Sequence, residues 1–443
     1  MAVNRADSVA IDIEGSASLK EEDMVSNDPF LSPNCCIFKT PNVLYRQNEK
    51  AYVPNGFSIG PFHHNKPNLT DTEKKKKKKK TMLEDLINSV KEVQQEAREC
   101  YSEPFHYSPD KFVEILVIDG CFIIELFRKM ANVVPIENND PVFTMPFMMG
   151  FLCHDLILLE NQVPWMVLER LFNMTMNSDE NKPEDNERLV YLAINCISTF
   201  SRFTPPPMKK RMKGIKHIPD LIIKWMVSSI EEDEQIPKEG CQHVSCATSF
   251  LEAAIKFIRG EPKMISSEKD MPSATTLVEA GIKFNRVENK SILDIKFKDG
   301  VLEFPALFIQ ENTESVLRNL ISFEQCYPNC EGRFTYYAIL LDDLITTAKD
   351  VDILGNAEII DIYLPSPEVV AQLFNKLCRH MLVRKSYYES VRKDVNRYCQ
   401  RRWPRWRAAI VRNYFNTPWS VLSTMAAVIL LILTFLQTLH TMK

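Results

Sequence analysis

Five acidic side chains lie within otherwise apolar stretches of the sequence, and they are the residues best placed for acid–base chemistry. They are Asp119, Glu125, Asp155, Glu160 and Glu324. A buried carboxyl group is costly unless it is paired or hydrogen-bonded, so we expect each to have a partner. Catalytic acids occupy such surroundings, but structural networks do so more often. If two or more of these carboxyl groups line one pocket, an enzyme is favoured. If each is bound separately by its own partners, that support is removed.

Recognisable catalytic motifs do not accompany these acids. The sequence lacks a nucleophile elbow, a glycine-rich phosphate loop, the kinase motifs and a metalloprotease helix. We therefore predict no catalytic residues, no cofactor and no enzymatic activity.

Two groups of side chains have the chemical types of metal ligands. One is the pair His63-His64, and the other is Cys241, His243 and Cys246, which read C-x-H-x2-C. The second group lacks a fourth ligand at zinc-site spacing and lies in a polar stretch. We predict no metal site.

The twelve cysteines are scattered along the chain, which is typical of reduced thiols in an intracellular protein. Cys326 and Cys330 are four residues apart, but Pro328 lies between them and the spacing is not that of a redox motif. We interpret this pair as ordinary packing.

The run Lys74 to Lys80 could bind nucleic acid or anionic lipid, or act as a nuclear address. The simpler interpretation is a solvated first turn, because cations at a helix N-terminus oppose the helix dipole. The net charge of −4 favours no particular partner. Nucleic acid is therefore an unlikely partner in this prediction.

Helices must position most of these side chains. Leu83, Leu86, Ile87, Val90 and Val93 recur at three- and four-residue spacing, which predicts a helix with one apolar face. Residues 111–131 and 142–160 are apolar on nearly all sides, which is typical of helices at the centre of a core. Pro164 and the dipeptide Ser366-Pro367 are signals for two further helix starts.

The sequence predicts a mainly α protein with a small antiparallel β-sheet, an α+β fold. Asp299-Gly300 is a strong turn signal within a β-hairpin near 291–309. An acidic, disordered leader spans 1–34 and the helix-rich domain spans 35–415. Polar linkers interrupt this domain near 173–188, 203–219 and 231–273.

The segment Trp419 to Leu439 contains no charged side chain. At about 1.5 Å per residue it matches a bilayer core of about 30 Å, so we predict a single C-terminal transmembrane helix at 419–439, with a short tail at 440–443. The alternative is a buried core helix. The predicted membrane-anchoring residues are Trp403, Arg405, Trp406, Arg407, Arg412 and Trp419 at the interface, and Leu430, Leu431, Leu433 and Phe435 within the span.

The arginines before the predicted span favour a cytosolic side for the bulk of the chain. No signal peptide is visible, so the prediction is a tail-anchored, single-pass protein, with the plasma membrane favoured over the endoplasmic reticulum. Asn68, Asn173 and Asn289 head N-x-S/T triplets that would be glycosylated only if the domain were translocated. An extracellular domain is the alternative.

Several strings match, in order, those of one known family. They include CCIFKTPNVLYRQNEKAYVPNGFSIGPFHH, LVIDGCFIIELFRK, HDLILLENQVPWMVLERLF, SILDIKFKDGVLEFPALFI and YFNTPWSVLSTMAAVILLILTFLQTL. From about Cys35 to its end, the chain resembles the plant domain-of-unknown-function 247 family, also called uncharacterised protein family 0481. The lysine run departs from the family pattern, and residues 355–365 fit it only loosely.

The resemblance implies a plant-specific protein with one C-terminal transmembrane helix and no established catalytic activity or cofactor. Some grass members are implicated as pollen-side determinants of self-incompatibility, which implies recognition outside the cell. That implication conflicts with the cytosolic placement predicted from the arginines.

We therefore predict a membrane-anchored plant protein whose partners are the lipid bilayer and an unknown protein, with a role in recognition or signalling. The alternative hypothesis is a membrane-tethered enzyme of unrecognised class that uses the buried carboxylates.

Overall fold

An irregular N-terminal segment, residues 35–64, is packed among helices that come much later in the chain. The computed structural model describes residues 32–64, 66, 69, 83–175, 185–201, 212–230, 270–328, 330–379, 381, 387–400 and 418–441. Within the N-terminal segment only α1 (Asn42–Tyr45) and a 3₁₀ turn at Glu49–Ala51 are helical. Prolines and glycines at Pro41, Pro54, Gly56, Gly60 and Pro61 account for the lack of longer elements.

The remaining described helices form the bulk of the fold. They are α2 (Leu83–Glu92), α3 (Gln94–Glu99), α4 (Pro109–Met130), α5 (Pro146–Ile157), α6 (Trp165–Thr175), α7 (Asp185–Ser201), α8 (Ile218–Ser228), α9 (Ala274–Glu279), α10 (Thr313–Cys326), α11 (Arg333–Leu344), α12 (Ala348–Asn356), α13 (Pro367–Leu377), α14 (Glu389–Gln400) and α15 (Pro418–Thr441).

Helix α4 runs through the middle of the core, where it contacts α2, α6 and α7. Pro109 occupies its first turn, and Oγ of Ser108 accepts a 3.3 Å hydrogen bond from the N–H of Lys111, which caps the helix. Phe112 and Phe127 are fully buried near its two ends. Burial on most sides explains why this stretch of sequence is apolar almost all round.

The strands form two small sheets. They are β1 (Lys283–Val287), β2 (Lys296–Lys298), β3 (Val301–Pro305), β4 (Leu307–Ile309) and β5 (Ile360–Ile362). Strands β2 and β3 pair antiparallel across Asp299 and Gly300, whose φ angles of +50° and +83° match the two positive values of a type I′ turn. Strand β1 pairs with β3 in parallel, as does β4 with β5.

The predicted antiparallel sheet is therefore wrong in this detail, because the three-stranded sheet is mixed. Its order is β1-β3-β2, so the chain passes through the edge strand β2 before it returns as the central strand β3. Strand β3 therefore lies beside β1 and runs parallel to it. Turn signals in the sequence specify the hairpin but carry no information about the more distant pairing.

Helix α15 occupies the predicted span. Among the helices of the described residues, none combines the length and the apolarity that crossing a membrane requires. This finding contradicts the predicted transmembrane helix at 419–439, and with it the single-pass, tail-anchored arrangement and the plasma-membrane localisation. The prediction rested on the length of the run, its Leu, Ile, Val and Phe content and its lack of charge. The segment also carries hydroxyl and amide side chains at Ser420, Ser423, Thr424, Thr434, Gln437 and Thr438.

The predicted membrane-anchoring residues lie partly on α15 and partly outside the described residues. Leu430, Leu431, Leu433 and Phe435 are exposed side chains of α15. Trp419 lies in the first turn of that helix. Trp403, Arg405, Trp406, Arg407 and Arg412 lie outside the described residues, as do the leader up to residue 31, the lysine run and most of the predicted linkers.

Candidate functional site

The carboxylate of Asp155 is fully buried on α5 and binds the backbone of the N-terminal segment. Its Oδ1 accepts a 2.8 Å hydrogen bond from the N–H of Asn55. Its Oδ2 accepts two more, from the N–H of Gly56 at 2.8 Å and from the N–H of Phe57 at 2.7 Å. One side chain therefore satisfies three backbone donors that belong to no helix or strand.

Asp119 and Asn161 continue this arrangement along the same segment. Oδ2 of Asp119, on α4, accepts a 2.8 Å hydrogen bond from the N–H of Gly60. Oδ1 of Asn161 accepts from the N–H of Ile59 at 2.7 Å, while its Nδ2 donates to the carbonyl of Phe57 at 3.0 Å. The bends of residues 55–60 are thus held by side chains from about 60 to 100 residues later.

Two further amides tie the surrounding turns together. Nε2 of Gln162 donates to the carbonyls of Leu156 and Leu158, at 2.8 Å each. Asn319, on α10, accepts from the N–H of Leu159 at 2.9 Å and donates to the carbonyl of Ala51 at 2.8 Å. We call the buried side chains Asp119, Asp155, Asn161, Gln162 and Asn319 the polar cluster.

Glu160 and His63 lie close together near the polar cluster. Oε1 of Glu160 accepts a 2.9 Å hydrogen bond from the N–H of Thr40, and Oε2 lies 3.7 Å from Nε2 of His63. Burial, reinforced by the charges of Lys66 and Lys39, lowers the pKa of His63 to about 3. Burial also raises the pKa of Glu160, against the hydrogen bond from Thr40. The imidazole is therefore neutral at physiological pH.

His217 is a second buried histidine held in its neutral form. Its Nε2 donates a 2.9 Å hydrogen bond to the carbonyl of Cys36, so its Nδ1 is the acceptor for the N–H of Asp220 at 3.4 Å. This second contact caps α8. Burial lowers the pKa of His217 to about 4, despite the nearby carboxylate of Asp220. The residue acts as a link between α8 and the N-terminal segment.

The other two acids identified in the sequence lie apart from the polar cluster. Glu324 accepts hydrogen bonds from the N–H of Phe334 at 2.9 Å and the N–H of Thr335 at 2.7 Å, at the start of α11. Burial raises its pKa to about 7, against those hydrogen bonds. Glu125 lies 3.6 Å from Nζ of its helical neighbour Lys129. The five acids therefore do not converge on one pocket.

The polar cluster orders backbone groups of the N-terminal segment. Both oxygens of Asp155 accept from backbone donors, and its Oδ1 also lies 2.9 Å from Nδ1 of the neighbouring His154. The cluster shapes residues 51–60 into one fixed, irregular path.

An aromatic pair lies on the outer face of the same helix that carries Asp155. Phe147 and Phe151, one helical turn apart on α5, are 59% and 40% exposed. Their rings meet edge to face, with centroids 5.9 Å apart and planes at 73°. Phe151 also leans over Gly56, since a Cβ built on that glycine would lie 3.4 Å from Cβ of Phe151. Asp155 therefore holds the backbone of the N-terminal segment close to the helical turn that presents the two rings.

The candidate metal ligands fall in different places. Cys241, His243 and Cys246 lie outside the described residues, whereas His63 and His64 are described. Within the described part of the chain, no group of three or more His, Cys, Asp or Glu side chains could hold a metal ion. Burial raises the pKa of both Cys326 and Cys330 to about 12, so these thiols stay protonated.

The three asparagines of the glycosylation triplets differ in their surroundings. Asn289 is exposed and has a φ of +57° after β1. Asn173 is half-buried near the end of α6, and its Oδ1 is shielded from solvent. Asn68 lies outside the described residues.

Sequence reasoning missed the amides of the polar cluster and the capping role of His217. A signal was present, because Asn161 and Gln162 follow Glu160 at the end of the apolar stretch that includes Leu158 and Leu159. Polar side chains at such a position must find hydrogen-bond partners when they are buried. Asn319 and His217 lie among apolar neighbours too, and the same argument applies to them.

Comparison with known proteins places the whole described domain in one group. A family model for plant proteins of unknown function matches residues 37–433. The chain is similar to UPF0481 protein At3g47200 of Arabidopsis thaliana, with 29% identity over 429 residues that cover 91% of this chain and 85% of the relative. It is also similar to Putative UPF0481 protein At3g02645 of the same plant, with 22% identity over 487 residues, 90% of this chain and 89% of the relative. No solved structure matches.

Proposed function

Because this chain belongs to DUF247, a family of plant proteins of unknown function, we propose that its helical domain binds another protein and acts in recognition or signalling. The contact surface includes the aromatic pair Phe147 and Phe151. The observation that carries the proposal is the exposure of both rings on one face of α5.

Large apolar side chains that are exposed together, rather than singly, mark interaction surfaces. Three more exposed apolar side chains precede the pair in sequence, namely Val133, Ile136 and Met145. Aromatic side chains contribute most to binding when they enter a pocket on the partner, where they are fully desolvated. The partner therefore offers an apolar pocket or groove that accepts two rings.

The rigidity of α5 supports the same proposal. Asp155 ties α5 to the backbone of residues 55–57, so the two rings are presented without a loop having to become ordered on binding. Pre-organised contact surfaces lose less conformational entropy on association. The five acids do not converge on one pocket: they bind backbone donors or Lys129, and Asp155 and Glu160 also lie beside a histidine.

The proposal is tested first by photocrosslinking. A benzophenone amino acid is placed at position 147 of the full chain in plant cells, and at position 363 as the matched control. Tyr363 is also a largely exposed aromatic residue, but it follows β5. A protein that crosslinks at 147 and not at 363 is then purified for binding measurements.

With the purified pair, we expect Phe147→Ala or Phe151→Ala to raise Kd by about tenfold or more, and Tyr363→Ala to change it by less than about twofold. Unchanged affinity of both phenylalanine variants would overturn the proposal. Crosslinking only to a second copy of this chain would overturn it as well, since the surface would then be one of self-association.

A further inference from the structure

Two cysteines face each other where the N-terminal segment meets the end of α3. Ile37 and Tyr101 form a parallel β-bridge. The N–H of Ile37 donates to the carbonyl of Cys100 at 2.7 Å, and the N–H of Ser102 donates to the carbonyl of Ile37 at 2.9 Å. Side chains alternate between the two faces of paired strands. Cys36 and Cys100, each one residue before the bridge, therefore lie on the same face.

The Cys100 thiol donates a 3.4 Å hydrogen bond to the carbonyl of Glu96. A hydrogen bond with Cys36 lowers the pKa of Cys100 against the effect of burial. The charge of Lys216 lowers it further. The same hydrogen bond, together with burial, raises the pKa of Cys36. Of the two thiols, Cys100 therefore gives up its proton more readily than Cys36.

A small cavity reaches both sulfur-bearing residues. Its volume is about 140 Å³, and its lining includes Cys36, Cys100, Lys216 and Met166. This space is large enough for a few water molecules or a small hydroperoxide. The cationic Lys216 beside Cys100 favours an approaching electron-rich reactant and stabilises the thiolate.

We propose that Cys36 and Cys100 form an oxidisable dithiol whose reactant is hydrogen peroxide or a small organic hydroperoxide. The Cys100 thiolate attacks the distal oxygen of the peroxide and the O–O bond breaks. The alkoxide or hydroxide that leaves takes up the proton that Cys100 had lost. Cys100 is oxidised to a sulfenic acid, and the peroxide is reduced to an alcohol or to water.

Cys36 completes the reaction. Its sulfur attacks the sulfur of the Cys100 sulfenic acid, an S–S bond forms, and hydroxide leaves with the Cys36 proton as water. In sum, two thiols and one hydroperoxide give a disulfide, an alcohol and water. Neighbouring strands lie about 4.8 Å apart, which falls within the Cα separation of about 4.4–6.8 Å that a disulfide needs. The bridge therefore requires little backbone movement.

The chain contains its own control for this reaction. Cys153 and Cys196 are buried and lie close enough to influence one another, and burial raises the pKa of both. In this second pair both thiols have a raised pKa, whereas the pKa of Cys100 is lowered. Proximity alone would oxidise both pairs, whereas the proposed chemistry oxidises only Cys36 and Cys100.

The experiment treats the reduced full chain with increasing hydrogen peroxide, followed by alkylation, digestion and mass spectrometry. We expect a peptide crosslinked between Cys36 and Cys100, formed at least about tenfold faster than any oxidation of Cys153 or Cys196. In Cys36→Ser, dimedone should trap Cys100 as its sulfenic acid. In Cys100→Ser, it should leave Cys36 unlabelled.

Absence of the Cys36–Cys100 peptide, or equal oxidation of the Cys153–Cys196 pair, would overturn the proposal. Dimedone labelling of Cys36 in Cys100→Ser would overturn the assigned roles. The search for the Cys36–Cys100 disulfide in the unmodified chain tests the proposal even if either serine variant fails to fold.

Discussion

The backbone N–H of Phe57 donates a 2.7 Å hydrogen bond to Oδ2 of Asp155, 98 residues further along the chain. The same oxygen accepts from Gly56, and the other oxygen accepts from Asn55. All three backbone groups are donors, so the position calls for a side chain that only accepts. An ionised carboxylate meets this requirement, whereas an amide does so with only one of its two polar atoms.

Replacing Asp155 by Asn should therefore be costly despite the equal size of the side chain. The new amide directs a donor at a backbone donor and leaves buried N–H groups unsatisfied. We expect the free energy of unfolding in urea to fall by about 2–4 kcal/mol. Asp110→Asn is the control, because Asp110 is largely exposed and pairs with Lys91 at 2.8 Å. That change should cost less than about 1 kcal/mol, and equal losses would contradict our account of Asp155.

Gly60 offers a test of the close approach between residues 60 and 162. Its φ is +71°, and a Cβ at this position would lie 2.2 Å from the carbonyl oxygen of Gln162. Gly214 has a similar φ of +63° with open space around it. We expect Gly214→Ala to lower the free energy of unfolding by about 1–2 kcal/mol through backbone strain alone. Gly60→Ala should cost at least about 2 kcal/mol more or prevent folding, as measured by urea unfolding. Equal costs would contradict the reported approach.

Two helical glycines should respond in opposite directions to alanine. A Cβ added to Gly120 of α4 would lie 2.5 Å from Cδ1 of Leu171 on α6. A Cβ added to Gly150 of α5 would have no neighbour within 4 Å. Gly150→Ala should raise the unfolding free energy by about 0.5–1 kcal/mol. Gly120→Ala should lower it by about 1 kcal/mol or more. A double-mutant cycle with Leu171→Val should recover part of that loss, and purely additive effects would argue against direct contact.

The neutral imidazole of His63 predicts a loss of stability in acid. In the unfolded chain histidine binds a proton below about pH 6.5, whereas burial holds the pKa of folded His63 at about 3. Between these values the unfolded state binds more protons. Stability therefore falls as the pH is lowered from about 6.5 to 3, by up to about 1.4 kcal/mol per pH unit from this residue.

His63→Leu should flatten this part of the pH profile of unfolding, because leucine does not titrate. His106→Leu, at an exposed position, is the control and should leave the slope unchanged. Urea unfolding at several pH values between 4 and 7 measures both slopes. The same slope in His63→Leu and in the unmodified chain would contradict the assignment. In His106→Leu, the nearby Glu160, Lys39 and Lys66 act on His63 as they do in the unmodified chain.

The local features of the fold were accessible from the sequence, whereas the long-range pairings were not. Apolar spacing identified α2, and Asp299-Gly300 identified the β2–β3 turn, because both patterns depend on neighbouring residues. The partners of Asp119 and Asp155 lie in a segment without regular structure. The sequence could indicate that these acids are buried, but it could not indicate which backbone groups they bind. The parallel pairing of β1 with β3 and the amides of the polar cluster were missed for the same reason.

The distance along the chain between the N-terminal segment and its partners determines when the fold can close during synthesis. The carbonyl of Ala51 cannot accept its hydrogen bond until Asn319, 268 residues further on, has been synthesised. Oε1 of Gln47 accepts a hydrogen bond from Arg318, and its Nε2 donates to the carbonyl of Arg379, which is 332 residues further on. At about 5–20 residues per second, the ribosome needs roughly 15–55 s to make the stretch between Ala51 and Asn319. Residues 47–52 are therefore packed late although they are made early, and Tyr52, whose hydroxyl lies 3.5 Å from Oγ of Ser322, stays in contact with solvent or chaperones until then.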